Sequence, residues 1–367
     1  MKIKNILLLL SVSAILGFAC STGTALDQHR TTISIQGDDF YINGEITYRD
    51  RSWQGHRIEG LLMNARLVQG IFDDENQQTR VRWKYPDTNE WDPERNTREF
   101  VAAMPDWKAH GLLSFTVNLQ GGSPMGYGNK NWKNTAYSET GELKPAYMNR
   151  LQMILDAADS LEMVPILSLF YFGQDQFLQD EQAILTATDN VIDWLFDQGY
   201  RNVLIETANE INVSKYDHEI FTTERAHELI NRIKKKSRHG YRFLVGTSYG
   251  GGFVPRPNVV KVSDFLLIHG NDVNHPDEMR KLIEATRAVE GFTEMPVIVN
   301  EDDHYDYDES DYNLKAAIEK HVSWGFFDFR RNDEPFGAGF QSVPVDWRIS
   351  HLRKEKFFDK IKEITGY

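Results

Sequence analysis

The chain has 367 residues, of which 41% are hydrophobic and 12% aromatic. That is enough to bury a sizeable core, so disorder is excluded and one large barrel or two modest domains suit the length. The formal net charge of −13 excludes an extended nucleic-acid surface, because phosphate binding needs a basic footprint, and one cysteine excludes a disulfide framework.

The sequence opens on Met1-Lys2-Ile3-Lys4 and then an apolar run over residues 6–19, "ILLLLSVSAILGFA". The run is too short to span a membrane comfortably. Residues 1–19 are therefore expected to be a signal peptide and the protein to be exported. Cys20 ends the run and precedes "STGTA", an arrangement that resembles the lipobox of bacterial lipoproteins. Gly17 stands where a branched aliphatic residue is usual and Phe18 where a small one is. The resemblance implies a lipid on Cys20 and attachment to the cell envelope. Ordinary cleavage near Ala19, giving a periplasmic or secreted protein, is the alternative. Residues 20–37 are expected as a short linker and 38–367 as one domain.

In "DDFYINGEITYRDRSWQG" (38–55) the Asn43-Gly44 pair separates two strand-like runs, the strongest short signal for a hairpin. A small hairpin lid is expected there. From about residue 60, apolar strand-like runs alternate with segments of helical period, the rhythm of parallel β/α units. Strands are expected over 61–74, 112–119, 163–172, 202–210, 242–248, 264–270, 295–301 and 325–330. Helices are expected from near Asn96, then over 145–161, 187–199, 222–237, 276–290 and 313–323, with Gly199 as a C-terminal cap. Eight repeats make the count of a closed (β/α)8 TIM barrel preceded by a short N-terminal β-hairpin. A doubly wound open sheet is the alternative, but "SYGGGF" (248–253) lacks the glycine spacing of a dinucleotide loop.

In a barrel of this kind, catalytic groups sit at the C-terminal ends of the strands. The polar residues there are Asp73 and Asp74, Asn118 and Gln120, Tyr171 and Gln174, Asn209 and Glu210, Ser248 and Tyr249, His269 and Asn271, Asn300 and Glu301, and Asp328 with Arg330. Asn209-Glu210 ending the fourth strand and Glu301 ending the seventh, in "PVIVNE", resemble the pattern of clan A glycoside hydrolases, the retaining (β/α)8 enzymes that include cellulases and mannanases. The resemblance implies that Glu210 is the acid/base, Glu301 the nucleophile and Asn209 a partner of the sugar 2-hydroxyl. It also implies a carbohydrate substrate and no cofactor. Two features depart from the pattern: His269 stands where many relatives place an aromatic residue, and "EDDH" (301–304) is unusually acidic.

Glycoside cleavage itself asks for one carboxyl that donates a proton to the leaving oxygen and one that is ionised beside the anomeric carbon. Glu210 is expected to be held partly protonated by desolvation and by its partner's charge. His269 is expected to orient a carboxylate or to contact substrate, and Arg66 to pair with one of the acids. Asn118, Tyr171, Tyr249, Asn271 and Trp324 complete the candidate substrate contacts. Each residue also has a plainer reading. Glu206 suits a pair with a barrel cation, His304 a pair with Asp302 and Asp303, and the loop aromatics Trp83, Tyr85, Trp91, Tyr127 and Trp132 suit packing as well as sugar stacking. "IKKKSRH" (233–239) reads as a solvated helix end.

Two other functions fit the same residue types. A metal-dependent sugar isomerase barrel would gather Glu210, His269, Glu301 and Asp303 around a divalent ion. A glycan-binding surface lipoprotein would use the same barrel without chemistry.

Overall fold

The computed structural model describes residues 31–126 and 131–367. The expected signal peptide, Cys20 and Tyr127 lie outside the described residues. Among the described residues, no helix is long and apolar enough to cross a membrane.

The chain enters as a three-stranded antiparallel sheet, β1 (Ile33–Gln36), β2 (Asp39–Ile42) and β3 (Glu45–Ile46). Asn43 and Gly44 turn β2 into β3 with φ of 55° and 77°, the two left-handed residues that a tight hairpin turn requires. β1 falls within the expected linker, and its pairing with β2, from Ile33 opposite Ile42 to Gln36 opposite Asp39, makes that stretch part of the fold. The sheet is not a lid over the mouth. Thr32 bridges Arg201, ahead of the fourth barrel strand, and Asn43 Nδ2 donates to Glu162 Oε1 at 2.9 Å, ahead of the third. It therefore closes the opposite, N-terminal end of the barrel.

A second small hairpin, β4 (Ser52–Trp53) with β5 (His56–Arg57), follows. The barrel strands are β6 (Asn64–Arg66), β7 (Ser114–Asn118), β8 (Val164–Phe170), β9 (Leu204–Ala208), β10 (Leu244–Gly246), β11 (Ser248–Tyr249), β12 (Leu266–His269), β13 (Val297–Asp302) and β14 (Ser323–Phe326). All neighbours are parallel, in the order β10-β9-β8-β7-β6-β14-β13-β12-β11. β10 pairs with β9, and β11, one residue further along the chain, pairs with β12. The two segments are thus one interrupted fifth strand, and through it the sheet closes as a TIM barrel.

The helices between strands are α1 (Gln77–Arg80), α2 (Pro93–Ala109), α3 (Pro145–Ser160), α4 (Glu181–Gln198), α5 (His227–Lys234), α6 (Pro257–Val260), α7 (Pro276–Arg287) and α8 (Asn313–Glu319), with α9 (Leu352–Thr365) after β14. Their ends carry local signals. Asp92 accepts from Arg95 N at 2.8 Å and precedes Pro93, and Asp180 accepts from Ala183 N at 2.8 Å, each satisfying an otherwise orphaned donor of a first turn. Gly199 closes α4 at φ 88°, as its residue type predicts.

Strand alternation explains the barrel's interior. In β7, Phe115 meets Phe100 of α2 edge-on, with ring centroids 5.4 Å apart, so Phe115 and Val117 face the helices and Ser114, Thr116 and Asn118 face the lumen. Asn118, Ser168, Glu206 and Gly246 stand side by side in register. A polar layer therefore lies beneath the mouth of the barrel.

Two boundaries differ from the expected ones in a way that matters. β6 is only three residues long, and the chain after it turns at once, with Phe72 N donating to Gln69 O at 3.1 Å. β14 ends at Phe326 rather than at residue 330, so Phe327 emerges at the mouth. Asp328 and Arg330 serve the C-terminal segment instead: Asp328 accepts from Arg353 Nε at 3.0 Å, and Arg330 Nη1 donates to the carbonyls of Phe336 and Pro344.

Candidate active site

β9 stops at Ala208, and the chain then has to turn outward. Asn209 N donates to Phe170 O at 3.0 Å, Glu210 N to Ser248 Oγ at 2.9 Å and Gly250 N to Asn212 Oδ1 at 2.7 Å. These bonds hold Glu210 at φ 51°, a left-handed conformation that costs a non-glycine residue on the order of 1–3 kcal/mol and persists only where its surroundings enforce it. Its carboxylate is thereby aimed into the mouth.

Opposite it, the ladder is irregular on both sides of β13. The register shifts between Ile268 and His269 on β12, and between Val299 and Asp302 on β13. Such irregularities re-aim side chains. Here they bring His269 level with Glu301. Gly270 permits this: a Cβ on it would sit 2.4 Å from the Asp302 carboxylate, so no other residue fits between His269 and Asn271 without displacement.

The resulting array is compact. Glu301 Oε2 lies 2.5 Å from Arg66 Nε, and Glu301 Oε1 accepts from Asn271 Nδ2 at 2.7 Å. Arg66 Nη2 donates to Asn209 Oδ1 at 2.5 Å, while Nη1 is 4.0 Å from Glu206 Oε2. His269 Nδ1 is 2.9 Å from Glu210 Oε1 and 3.6 Å from Glu301 Oε2. One oxygen of Glu210 and one of Glu301 lie within 4.8 Å of each other. A cavity of about 450 Å³ opens over the pair, walled by Tyr171, Phe172, Lys215, Phe253, Asp272, Asp303, Phe327 and Gln341 among others.

Burial is the largest influence on both carboxyls and pushes each upward. At Glu301 it prevails over Arg66 and His269, so that carboxyl sits above its ordinary range. At Glu210 the hydrogen bond and charge of His269, with Arg66 and Lys215, prevail, and that carboxyl sits below its ordinary range. The expected upward pull on Glu210 is therefore corrected in direction, because the hydrogen bond and charge of His269 favour its anion. Burial pulls His269 down, but the charge of Glu301 and its bond to Glu210 outweigh this and raise it.

The structure brings together Arg66, Asn209, Glu210, His269, Asn271 and Glu301, and places Tyr171 in the cavity wall with its hydroxyl 2.8 Å from Ser123 Oγ. The remaining candidates lie elsewhere. Trp324 is fully buried and donates from Nε1 to Asp302 Oδ2 at 2.9 Å, fixing β13 from behind. Tyr249 is buried and accepts from Arg256 N at 3.2 Å, and Asn118 lies in the lumen layer. Asp74 is spent on Thr79, Trp83 and the Lys133 backbone, and His304 Nδ1 sits 2.6 Å from Asp302 Oδ1. Trp83 and Tyr85 are buried anchors of their loop, with Tyr85 stacked on Trp91.

Phe172, Lys215, Phe253 and Phe327 were not singled out from the sequence. Phe172 and Phe327 fall inside expected strands that run past the true strand ends, and Lys215 and Phe253 sit in loops without periodicity. Asp303 carried a signal in the acidic run that follows Glu301.

Glu210, His269 and Glu301 are close enough for a metal triad, but Asp303 belongs to a separate group with Asp302 and His304. Both Glu301 oxygens are already held, one by a guanidinium, and a fixed cation in that position opposes a divalent ion.

No family model matches the chain, and no curated protein matches it. Solved structures do resemble it. A glycoside hydrolase family 5 protein of Bacteroides vulgatus aligns over 93% of this chain and 72% of its own, at 15% identity and a TM-score of 0.54. A family 5 mannosidase of Rhizomucor miehei aligns over 92% and 98%, at 12% identity and a TM-score of 0.54. A second Bacteroides vulgatus protein, assigned to the glycoside hydrolases, aligns at 14% identity and a TM-score of 0.50, and this chain spans only 60% of its length. At these identities the likeness is one of fold: the chain has the barrel of these structures.

Proposed function

We propose that the protein is a retaining glycoside hydrolase acting on an extracellular polysaccharide or oligosaccharide. The observation that carries this reading is the pair of carboxylates on opposite strands of one barrel mouth, with oxygens within 4.8 Å of each other. Retaining enzymes keep their two carboxyl groups roughly 5–5.5 Å apart, whereas inverting ones leave about 6.5–9.5 Å for a water. The glycoside hydrolase structures with the same barrel raise the prior. The signal-like N-terminus supports export, and Cys20 a lipid anchor.

In this reading Glu301, oriented by Arg66 and Asn271, attacks the anomeric carbon while Glu210 gives a proton to the departing oxygen. A glycosyl ester on Glu301 results. Glu210, now ionised, takes a proton from water, and the hydroxide equivalent opens the ester. A glycosidic oxygen placed against Glu210 opposes the downward pull of His269 on that carboxyl, because an acceptor there favours its protonated form. Asn209, anchored by Arg66, faces the sugar hydroxyl next to the anomeric carbon.

The test is release of new reducing ends from a glycan panel by wild type and Glu301→Gln, each with and without chelator. Release by wild type alone, indifferent to chelator, is expected. Glu210→Ala is expected to lose roughly 10²–10⁴-fold and to recover on substrates with good leaving groups. Wild-type rates from both variants, or isomerised sugar lost with chelator, sink the assignment.

A further inference from the structure

The cavity over Glu210 and Glu301 does not end at its own wall. Ser123, Tyr171, Phe172 and Lys215 also line a second cavity of about 730 Å³, which continues along the loops after β6, β7 and β8. The two compartments differ in charge. The first is walled by four carboxylates, Glu210, Glu301, Asp272 and Asp303, against Arg66 and the shared Lys215, while the second has Lys133 and the shared Lys215 and no carboxylate among its lining residues. In a chain with a formal charge of −13, that is a local reversal of sign.

The lysines are also not neutralised. Glu75 is the carboxylate beside Lys133, at 3.4 Å, and it is shared with Lys144, so one negative charge serves two ammonium groups. Lys215 is exposed and, among the described residues, has no carboxylate within ion-pair distance. Each lysine lies over a phenyl ring of the same compartment: Lys133 Nζ is 4.9 Å from the Phe177 centroid and Lys215 Nζ 5.2 Å from that of Phe172. An ammonium held over a ring beside the cavity is fixed in place by it and offers a charge-assisted hydrogen bond to an anionic substituent on a sugar.

We infer that the second compartment is a subsite for an acidic sugar unit, so that the substrate is a glycan bearing carboxylate or sulfate groups, with the acidic unit held by Lys133 and Lys215 and the scissile bond beside Glu210. This rests on the glycosidase reading for its chemistry but not for its binding. Repulsion from Asp272 and Asp303 adds to the selection, since it disfavours an acidic unit in the first compartment.

The test measures affinity by calorimetry on Glu301→Gln protein with three probes: an oligogalacturonide, its carboxyl-reduced neutral counterpart and a sulfated galacto-oligosaccharide. At low ionic strength the acidic probes are expected to bind about tenfold more tightly than the neutral one, the yield of two partly exposed charge pairs, and added salt should erode the advantage. In Lys133→Ala/Lys215→Ala the acidic-to-neutral ratio should fall to about one. Lys215→Ala alone, on an exposed loop, should lower it part of the way. The stronger of the two acidic probes identifies carboxylate or sulfate as the natural group. Equal affinity for charged and neutral probes, binding of none of the three, or a preference that survives the double substitution, overturns the inference. Turnover of neutral glycans with no acidic preference removes the inference and leaves the hydrolase, whereas lysine-dependent binding of acidic glycans without turnover by wild type does the reverse.

Discussion

Arg66 Nε lies 2.5 Å from Glu301 Oε2, deep in the barrel, and the same guanidinium reaches Asn209 at 2.5 Å. One side chain from β6 thus fixes both the expected nucleophile and the residue preceding the expected acid, across a mouth whose strands are far apart in sequence. Its planar fork suits two acceptors at once.

Arg66→Lys keeps the charge but not the fork. A fall in kcat/KM of roughly tenfold to a hundredfold is expected from the loss of one charge-assisted hydrogen bond, with the fold retained. Arg66→Met leaves Glu206 buried without a counter-charge and Glu301 with His269 alone beside it, and is expected to cost about 3–5 kcal/mol of stability in denaturant melts. An Arg66→Met protein as stable as wild type shows that the cation is dispensable.

Glu206 tests the same cation from below. It is fully buried, its oxygens have no hydrogen-bond partner among the described residues, and Arg66 Nη1 is 4.0 Å away and likewise without one. The two are close enough for a bridging water. Glu206→Gln combined with Arg66→Met should therefore destabilise less than the sum of the single changes, by roughly 0.5–3 kcal/mol. Strict additivity contradicts the coupling.

His269 sets where the site titrates. Its charge lowers both carboxyls, Glu210 through a hydrogen bond and Glu301 through space. His269→Asn removes that influence, so both carboxyl pKa values rise. Activity needs Glu301 ionised and Glu210 protonated, and the acidic and basic limbs of the pH–rate profile should therefore both move to higher pH. A profile displaced to lower pH, or unmoved, refutes this assignment.

Lys354 gives a prediction about stability rather than catalysis. Its ammonium is buried, donates to Asp346 O at 2.6 Å and lies 3.9 Å from the Phe340 centroid. Burial, opposed by Asp346 and Asp328, pulls its pKa down to about 7. The unfolded chain, with an ordinary lysine near 10.4, then binds more protons than the folded one between about pH 7 and 10. The penalty for the buried charge is complete below about pH 7 and is relieved as pH rises through that window. Wild-type Tm should therefore gain a rising component between pH 7 and 9 that Lys354→Met lacks. Parallel Tm curves for the two proteins count against it.

The sequence by itself determined the repeat of β/α units, the hairpin at Asn43-Gly44, the caps at Gly199 and the carboxylates at the ends of the fourth and seventh strands. These depend on neighbours a few residues apart: alternation, capping and turn chemistry act locally, and a strand meant for burial betrays its exit by a polar pair such as Asn209-Glu210. It did not determine that Trp324 and Tyr249 turn away from the mouth, that residues 33–36 join the first sheet, or that this sheet seals the far end of the barrel. Nor did it give the downward pull on Glu210, which hangs on the 2.9 Å contact with His269. The tertiary structure decided these because each depends on which side chains from distant strands are brought within a hydrogen bond of one another, and register shifts of a single residue at β12 and β13, invisible in a periodic pattern, determine which side chains those are.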